Sequence, residues 1–401
     1  MEILKINGWN IFYQKNSSNV VDIRFSVLAG SEKEENESIQ GIAHFVEHLI
    51  FKGTEKRGYL DISDEIAAIG GQSNAFTSKT IVSYFIRIIR MNWVNAFEIL
   101  SDMFFNSVFD EKEIEKERNV ILEEAKNNLD DHETFILEEG IRDTLSQSRG
   151  HRIIGSFDSI SSISRKDIIQ FMEKHYIGDN ILLSISGNVE KKDVINNLSV
   201  LLPPGSDKTK IIYSEKEPLF KKSRLFLERD KLQQAYSLLF YEGFGRKDPR
   251  HDAQKILLNA VGGGMHSLLF KTVREEHGLC YHIDAGDVGG FNDASIVCVS
   301  TNLSKKNVDK TRDIIFSVLN KVKKEGIDSR LLEISKVDYT SYIAMNTETS
   351  TGYVMFFGLS YLLDTYREFD ELYKSINSIS NDQIIEAANL IFQEPKDIIL
   401  S

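Results

Sequence analysis

Cysteine is nearly absent from these 401 residues, occurring only at Cys280 and Cys298. Two thiols are too few for a disulfide scaffold, so both are expected to be reduced, with Cys280 facing the core beside Tyr281. No uninterrupted apolar run approaches the length of a membrane span, and residues 1–20 lack a basic start followed by an apolar stretch. A membrane segment and a cleaved secretion signal are therefore not expected, and the default address is the cytoplasm. A surplus of basic residues is missing too, with 48 Lys and Arg against 60 Asp and Glu, a net charge of −12. That balance argues against nucleic acid as a partner and suggests a mild preference for basic or neutral peptides.

Proline is scarce, with five in the chain, and two of them meet a glycine and a charged run in LLPPGSDKTK, residues 201–210. That stretch reads as a linker. The length suits two domains of about 200 residues, each able to bury its own core: a first over 1–200, a linker over 201–222 and a second over 223–401. Each half opens on strand-like segments, IFYQKN and NVVDIRFSVL in the first, SRLFLERD and QQAYSLLFYEG in the second, and continues with long helical patterns and further strands such as SKTIVSYFIRII and DASIVCVST. The order favours an α+β fold, each half a largely antiparallel sheet with helices packed on one face. A shift of 219 residues superposes HLIFK (48–52) on SLLFK (267–271) and Gly70-Gly71 on Gly289-Gly290. On that match the halves are distant repeats, with Gly263, His266 and Ser267 standing where the first half has His44, Glu47 and His48.

The run His44-Phe45-Val46-Glu47-His48, within GIAHFVEHLIFKGT, carries the chemistry. On a helix, residues four apart share a face, so His44 and His48 can offer imidazole nitrogens to one metal while Glu47 projects beside them toward water. The order H-x-x-E-H is the inverzincin signature. Two imidazoles and a carboxylate on so apolar a segment are costly to bury without a partner, and a metal supplies one.

A catalytic zinc site usually has a third protein ligand. In FDEKEIEKERNVILEEAKNNLDD, residues 109–131, an amphipathic helix is expected with Val120 and Ile121 on its apolar face, Glu124 three or four residues on and Glu117 two turns before Glu124. Glu123 shares its side with Lys116, Asn119 and Asn127 and reads as solvated. Glu124 as third ligand, with Glu117 orienting it from behind, and an ordinary acidic surface helix both fit the residues alone.

The chain resembles the pitrilysin-type metallopeptidases, the group that includes insulin-degrading enzyme and the mitochondrial processing peptidase β subunit, and in particular their bacterial-type members of this length. The resemblance spans nearly the whole chain. ERNVILEE matches the helix that carries the family's third ligand, which places that role on Glu124 and opens the turn at Glu117. GGQSNAFTSKTIVSYF (70–85) matches the strand whose backbone pairs with substrate around Asn74, Ala75, Phe76 and Thr77. HRIIGSFDSI (151–160) and HYIGDNILLSISGNV (175–189) match two further blocks, and GGGMHSLLFKTVREEHGLCYHI (262–283) matches the glycine-rich helix and R-E-x-x-G-L-x-Y segment. The last match assigns Arg274 to grasping substrate and Tyr281 to stabilising the tetrahedral intermediate. By residue type alone the two are an ordinary surface pair. Leu269, where the family carries Arg, and His277 depart from the pattern.

What the resemblance implies is one zinc ion per chain, a duplicated fold whose active and inactive halves enclose a chamber, and a zinc endopeptidase of unfolded peptides or presequences in which Glu47 activates a metal-bound water. In the family Arg and Tyr act on a zinc site of a different half-domain, which short members achieve by pairing two chains. A homodimer, or a heterodimer with a related chain, is therefore expected. Two rivals remain at this stage: a non-catalytic or partner-dependent subunit of a processing peptidase, and a non-peptidase metal hydrolase. The intact set His44, Glu47, His48 and Glu124 disfavours the first, and the peptide-pairing strand disfavours the second.

Overall fold

The computed structural model describes residues 1–145, 147–205 and 220–401. Residues 206–219 of the expected linker lie outside the described residues. The chain divides into two compact units that are not contiguous in sequence: residues 1–127, 147–205 and 346–366 form the first, and 128–145, 220–345 and 367–401 the second.

The first unit is built on six strands, β1 (Glu2–Ile6), β2 (Trp9–Lys15), β3 (Val20–Val27), β4 (Gln72–Thr77), β5 (Val82–Ile89) and β6 (Ile181–Gly187), in the order β1-β2-β6-β3-β5-β4. Only the β2/β6 pair is parallel. Period-two patterning sets the faces: Val21, Ile23, Phe25 and Val27 of β3 and Val82, Tyr84, Ile86 and Ile88 of β5 all enter one core. β6 is buried along its whole length. Its reverse face is close-packed as well, since a Cβ on Gly358 would come within 3.2 Å of Ser184 Oγ. On the reverse face of β3 a fully buried Arg24 binds Asp22 and Ser83, with its guanidinium 4.0 Å from the Phe85 ring centre.

Four helices of this half matter for the site: α1 (Ile42–Leu49), α2 (Tyr59–Ala68), α3 (Trp93–Asn106) and α4 (Glu111–Asp130). α1 begins at Gly41, whose φ of 85° is the left-handed conformation that favours glycine. A Cβ there would also lie 2.3 Å from Ile154 O. Ile42, Ala43, Phe45, Val46 and Leu49 bury one side of α1 completely or nearly so, leaving His44, Glu47 and His48 on the other. The buried stripe of α4 is Ile114, Glu117, Ile121 and Ala125, at helical spacings of three and four. Val120 is not on it: at 49% exposure it faces solvent, since it sits about 100° around the helix from Ile121.

The second unit carries β7 (Arg224–Leu227), β8 (Ala235–Phe244), β9 (Cys280–Gly290), β10 (Ala294–Leu303) and β11 (Lys396–Leu400) in the order β7-β11-β8-β10-β9, with β7/β11 the parallel pair. α5 (His132–Thr144) packs on this sheet, against β8 and β11. Replacing β2, β6, β3, β5 and β4 by β7, β11, β8, β10 and β9 reproduces the strand order of the first sheet, so the duplication is one of topology. The 219-residue match, however, pairs elements that do not correspond. HLIFK closes α1, the first helix after β3, whereas SLLFK opens the second helix after β8, and Gly70-Gly71 precede β4 while Gly289-Gly290 end β9. The counterpart of α1 is the helix His251–Gly262, whose Ile256, Leu257, Ala260 and Val261 are fully buried. Where α1 turns His44, Glu47 and His48 outward, this helix commits polar side chains to pairs: Gln254 and Lys255 bind Asp287, and Asn259 binds Asp338.

His175, at the end of the helix Arg165–His175, is 1% exposed. Burial, with Lys174 and Lys33 nearby, pushes its pKa from 6.5 down to about 4. Between those values the unfolded chain binds a proton that the fold refuses, so stability is intact above pH 6.5 and falls as pH drops toward 4, by on the order of 3 kcal/mol. Urea unfolding of wild type and His175→Leu across this range should show a shallower acid slope for the variant.

Candidate metal centre

His44 and His48 stand one turn apart on α1, their ring centres 4.6 Å apart. Glu124, seven residues after Glu117 on α4, reaches both: its Oε1 lies 3.8 Å from His44 Nε2 and its Oε2 3.6 Å from His48 Nε2. One nitrogen from each histidine and one oxygen of Glu124 fall within 4.8 Å of one another, the only such grouping of three or more His, Cys, Asp and Glu among the described residues. The expected ligand set is thus brought together.

The histidines are held in a state that suits a cation. His48 Nδ1 lies 3.1 Å from Glu117 Oε2, so it donates there and the ring turns its Nε2 toward Glu124. Burial, then the neighbouring His48, pushes the His44 pKa down to about 3, which makes it a neutral imidazole, and its Nδ1 is buried without a hydrogen-bond partner. Two imidazole nitrogens and a carboxylate oxygen form the donor set of a hydrolytic zinc site, and the residues fit that ion. Burial raises the pKa of Glu117, but hydrogen bonds from His48 and Lys52 outweigh it and hold the carboxylate below its usual range. Lys52 Nζ is 2.7 Å from Glu117 Oε1. Lys52 lies one turn beyond His48, a spacing visible in the sequence, yet sequence reasoning passed over it.

Glu47 is not in the ligand group. Its Oε2 accepts a 2.5 Å hydrogen bond from Thr77 Oγ1, and burial raises its pKa above the ordinary carboxylate value against the opposing effect of that bond. Thr77 was expected to contribute backbone pairing to substrate; in the structure its side chain holds the Glu47 carboxylate. Asn74, Ala75, Phe76 and Thr77 lie on β4, which pairs with β5 on one side and stands at the end of the sheet, so its other edge is unpaired among the described residues. A cleft of about 360 Å³ opens beside Glu47 and His48, lined by Phe51, Tyr59, Ile62, Ile66, Asn74 and Ala75 among others.

Arg274 and Tyr281 belong to the second unit and meet each other there. The Arg274 guanidinium lies 4.6 Å from the Phe270 ring centre and 5.0 Å from that of Tyr281, and Tyr281 is 78% exposed. Leu269 is fully buried, while His277 is exposed and caps its own turn through Nδ1 and Thr272 O, 3.0 Å apart. Cys280 is half-buried and free.

Two family models match: insulinase (peptidase family M16) over residues 10–154 and the peptidase M16 inactive domain over residues 162–336. An uncharacterized zinc protease of Rickettsia bellii is 30% identical over 392 residues, covering 96% of this chain and 93% of that one. YmxG of Bacillus subtilis, likewise an uncharacterized zinc protease, is 28% identical over 97% of this chain and 94% of its own length. The mitochondrial-processing peptidase subunit beta of Rattus norvegicus is 36% identical over 188 residues, 46% of this chain and 37% of that subunit. Among solved structures, a protease from Helicobacter pylori superposes with a TM-score of 0.91 at 20% identity, covering 100% of this chain and 99% of that one, a likeness of fold.

Removing the Glu117 carboxylate leaves His48 Nδ1 and Lys52 without their acceptor. Glu117→Ala is expected to weaken zinc binding by about 10–100-fold, as loss of an outer-shell partner does elsewhere; competition with a chromogenic chelator measures it, and unchanged affinity would refute the role.

Proposed function

This chain belongs to peptidase family M16, the insulinase family, and from that premise we propose that it is a zinc-dependent endopeptidase of unfolded peptides or presequences. The observation that carries the reading is the convergence of His44, His48 and Glu124 with a separate, half-buried carboxylate, Glu47, beside them. When bound there, one zinc ion per chain supplies Lewis-acid activation of water and of the scissile carbonyl.

The residues of the chain do the rest. Glu47 takes the proton of the attacking water and delivers it to the leaving amine, a task for which a raised carboxyl pKa is suited. Thr77 holds Oε2 of Glu47, so Oε1 is the oxygen left for proton transfer. The free edge of β4 offers backbone donors and acceptors to an extended chain, which adds as another strand across Asn74 to Thr77. Such an edge takes an extended, unpaired segment, which favours unfolded substrates. Arg274 and Tyr281 carry the roles that the resemblance gives them, Tyr281 as hydrogen-bond donor to the oxyanion and Arg274 positioning that tyrosine or a substrate carbonyl. A two-fold homodimer with two composite sites is the assembly we favour.

The test is mass-spectrometric cleavage of a mixture of unfolded peptides by the purified chain, with chelator and then zinc restored. Cleavage that vanishes and returns is expected. Absence of cleavage by a zinc-loaded chain would favour the partner-dependent subunit instead, and hydrolysis of small amides without any peptide cleavage would favour a non-peptidase hydrolase. Glu47→Gln should retain zinc while kcat falls by about 10²–10⁴-fold, the usual worth of a general base; equal turnover would remove Glu47 from the mechanism.

A further inference from the structure

Glu34 is a carboxylate with no solvent exposure and no place in the chemistry above. It precedes α1 by a short loop and binds the helix start with both oxygens: Oε2 accepts from Gly41 N at 3.0 Å and Oε1 from Ala43 N at 3.2 Å. α1 needs such an acceptor. Its N-cap is Gly41, which has no side chain to receive the free N–H groups of the first turn. Burial pushes the Glu34 pKa up to about 8, against the opposing effect of these two backbone bonds and of Lys79, so the grip is one of hydrogen bonding and not of charge. Because the two oxygens engage two different residues, the contact opposes roll of the helix as well as its withdrawal. Ala43 is followed directly by His44.

The turn that presents Glu34 is itself tied to the hairpin bearing β4. Gly30 N, Ser31 N and Glu32 N donate to Thr80 O, Ser78 O and Lys79 O at 3.2, 3.1 and 2.9 Å. Lys79 Nζ donates to His151 O, and His151 Nδ1 lies 3.9 Å from Glu34 Oε2. On the far side, Gly41 and Gly155 abut backbone to backbone, since a Cβ on Gly155 would lie 2.4 Å from Gln40 O. The start of α1 is therefore clamped between the hairpin turn and the 151–155 loop, with the Glu34 side chain gripping the N–H groups of Gly41 and Ala43.

We propose that Glu34 is a positioning residue of the metal centre: its buried carboxylate fixes the N-terminus of α1, and so the direction in which His44, Glu47 and His48 point, relative to the hairpin of β4. This rests on reading the cluster as a zinc site. Ligand sets work only when held within about 0.5 Å of their productive geometry, so the consequence of losing the grip is weaker metal binding by a chain that remains folded.

Glu34→Gln keeps size and shape but sets an amide N–H₂ against one of the two backbone donors. Zinc affinity is read by chelator competition at 25 °C, the visible spectrum after cobalt(II) substitution reads ligand geometry, and the melting temperature of the metal-free chain reads folding. Glu34→Gln is expected to bind zinc about tenfold more weakly and to alter the cobalt bands. Asp252→Asn, which weakens the pair between buried Asp252 and partly exposed Arg367 in the second unit, should lower the melting temperature and leave zinc affinity and cobalt bands unchanged. If Glu34→Gln behaves like Asp252→Asn, Glu34 serves stability alone and the proposal is overturned. Should Glu34→Gln fail to fold, Glu34→Asp, which keeps the carboxyl group but is too short to span both donors, decides by the same readouts. A wild-type chain that binds no zinc would overturn the metal reading itself.

Discussion

The site depends on holding one short helix still. Eight residues of α-helix are far below the length that is stable in water, so α1 exists only because Ile42, Ala43, Phe45, Val46 and Leu49 are packed in the core of the first unit. The same packing that forms the helix therefore aims it. Any loosening that the core would tolerate elsewhere as a change of rotamer is here a displacement of two imidazoles and a carboxylate. This explains why polar attachments are concentrated around α1: Glu34 at its start, Glu117 on His48, and Thr77 on Glu47.

What could be read in the chain follows from the range of each interaction. The pairing of His44 with His48 is set by local helix geometry and was legible as such; the same periodicity puts Glu117 and Glu124 on one face but fits an acidic surface helix equally, and the resemblance decided between the two. Period-two alternation likewise disclosed β2, β3, β5, β8 and β10. Even so, α4 was read with Val120 on its buried side, because a β-branched apolar residue next to Ile121 is indistinguishable from a core residue until the neighbouring layer is known. Thr77 and Glu47 are thirty residues apart and Lys79 and His151 seventy-two apart. No spacing rule links such pairs, and only the folded hairpin does. Arg274 and Tyr281 were found by resemblance, not by any pattern in their own residues.

The repeat shows how little sequence a shared topology requires. The two sheets have the same strand order, yet the short identity that suggested duplication joins non-equivalent helices. What is preserved is the demand that the helix after β3, or after its counterpart β8, cover its sheet, which both α1 and His251–Gly262 meet with apolar side chains. What differs is the opposite face. On His251–Gly262 the polar side chains Gln254, Lys255 and Asn259 are taken up by Asp287 and Asp338.

The unpaired edge of β4 also bears on solubility. An open strand is a template for any extended chain, and a second copy of the same protein is the chain most often within reach. The residues QSNAFT that form it are mostly polar, and its side chains are exposed or half-buried. Segments of that composition lack the hydrophobic, strongly β-prone run from which stacked cross-β assemblies grow. The edge can thus offer backbone hydrogen bonds to a passing chain without the apolar zipper that would make the union permanent, and release is built into the same six residues as capture.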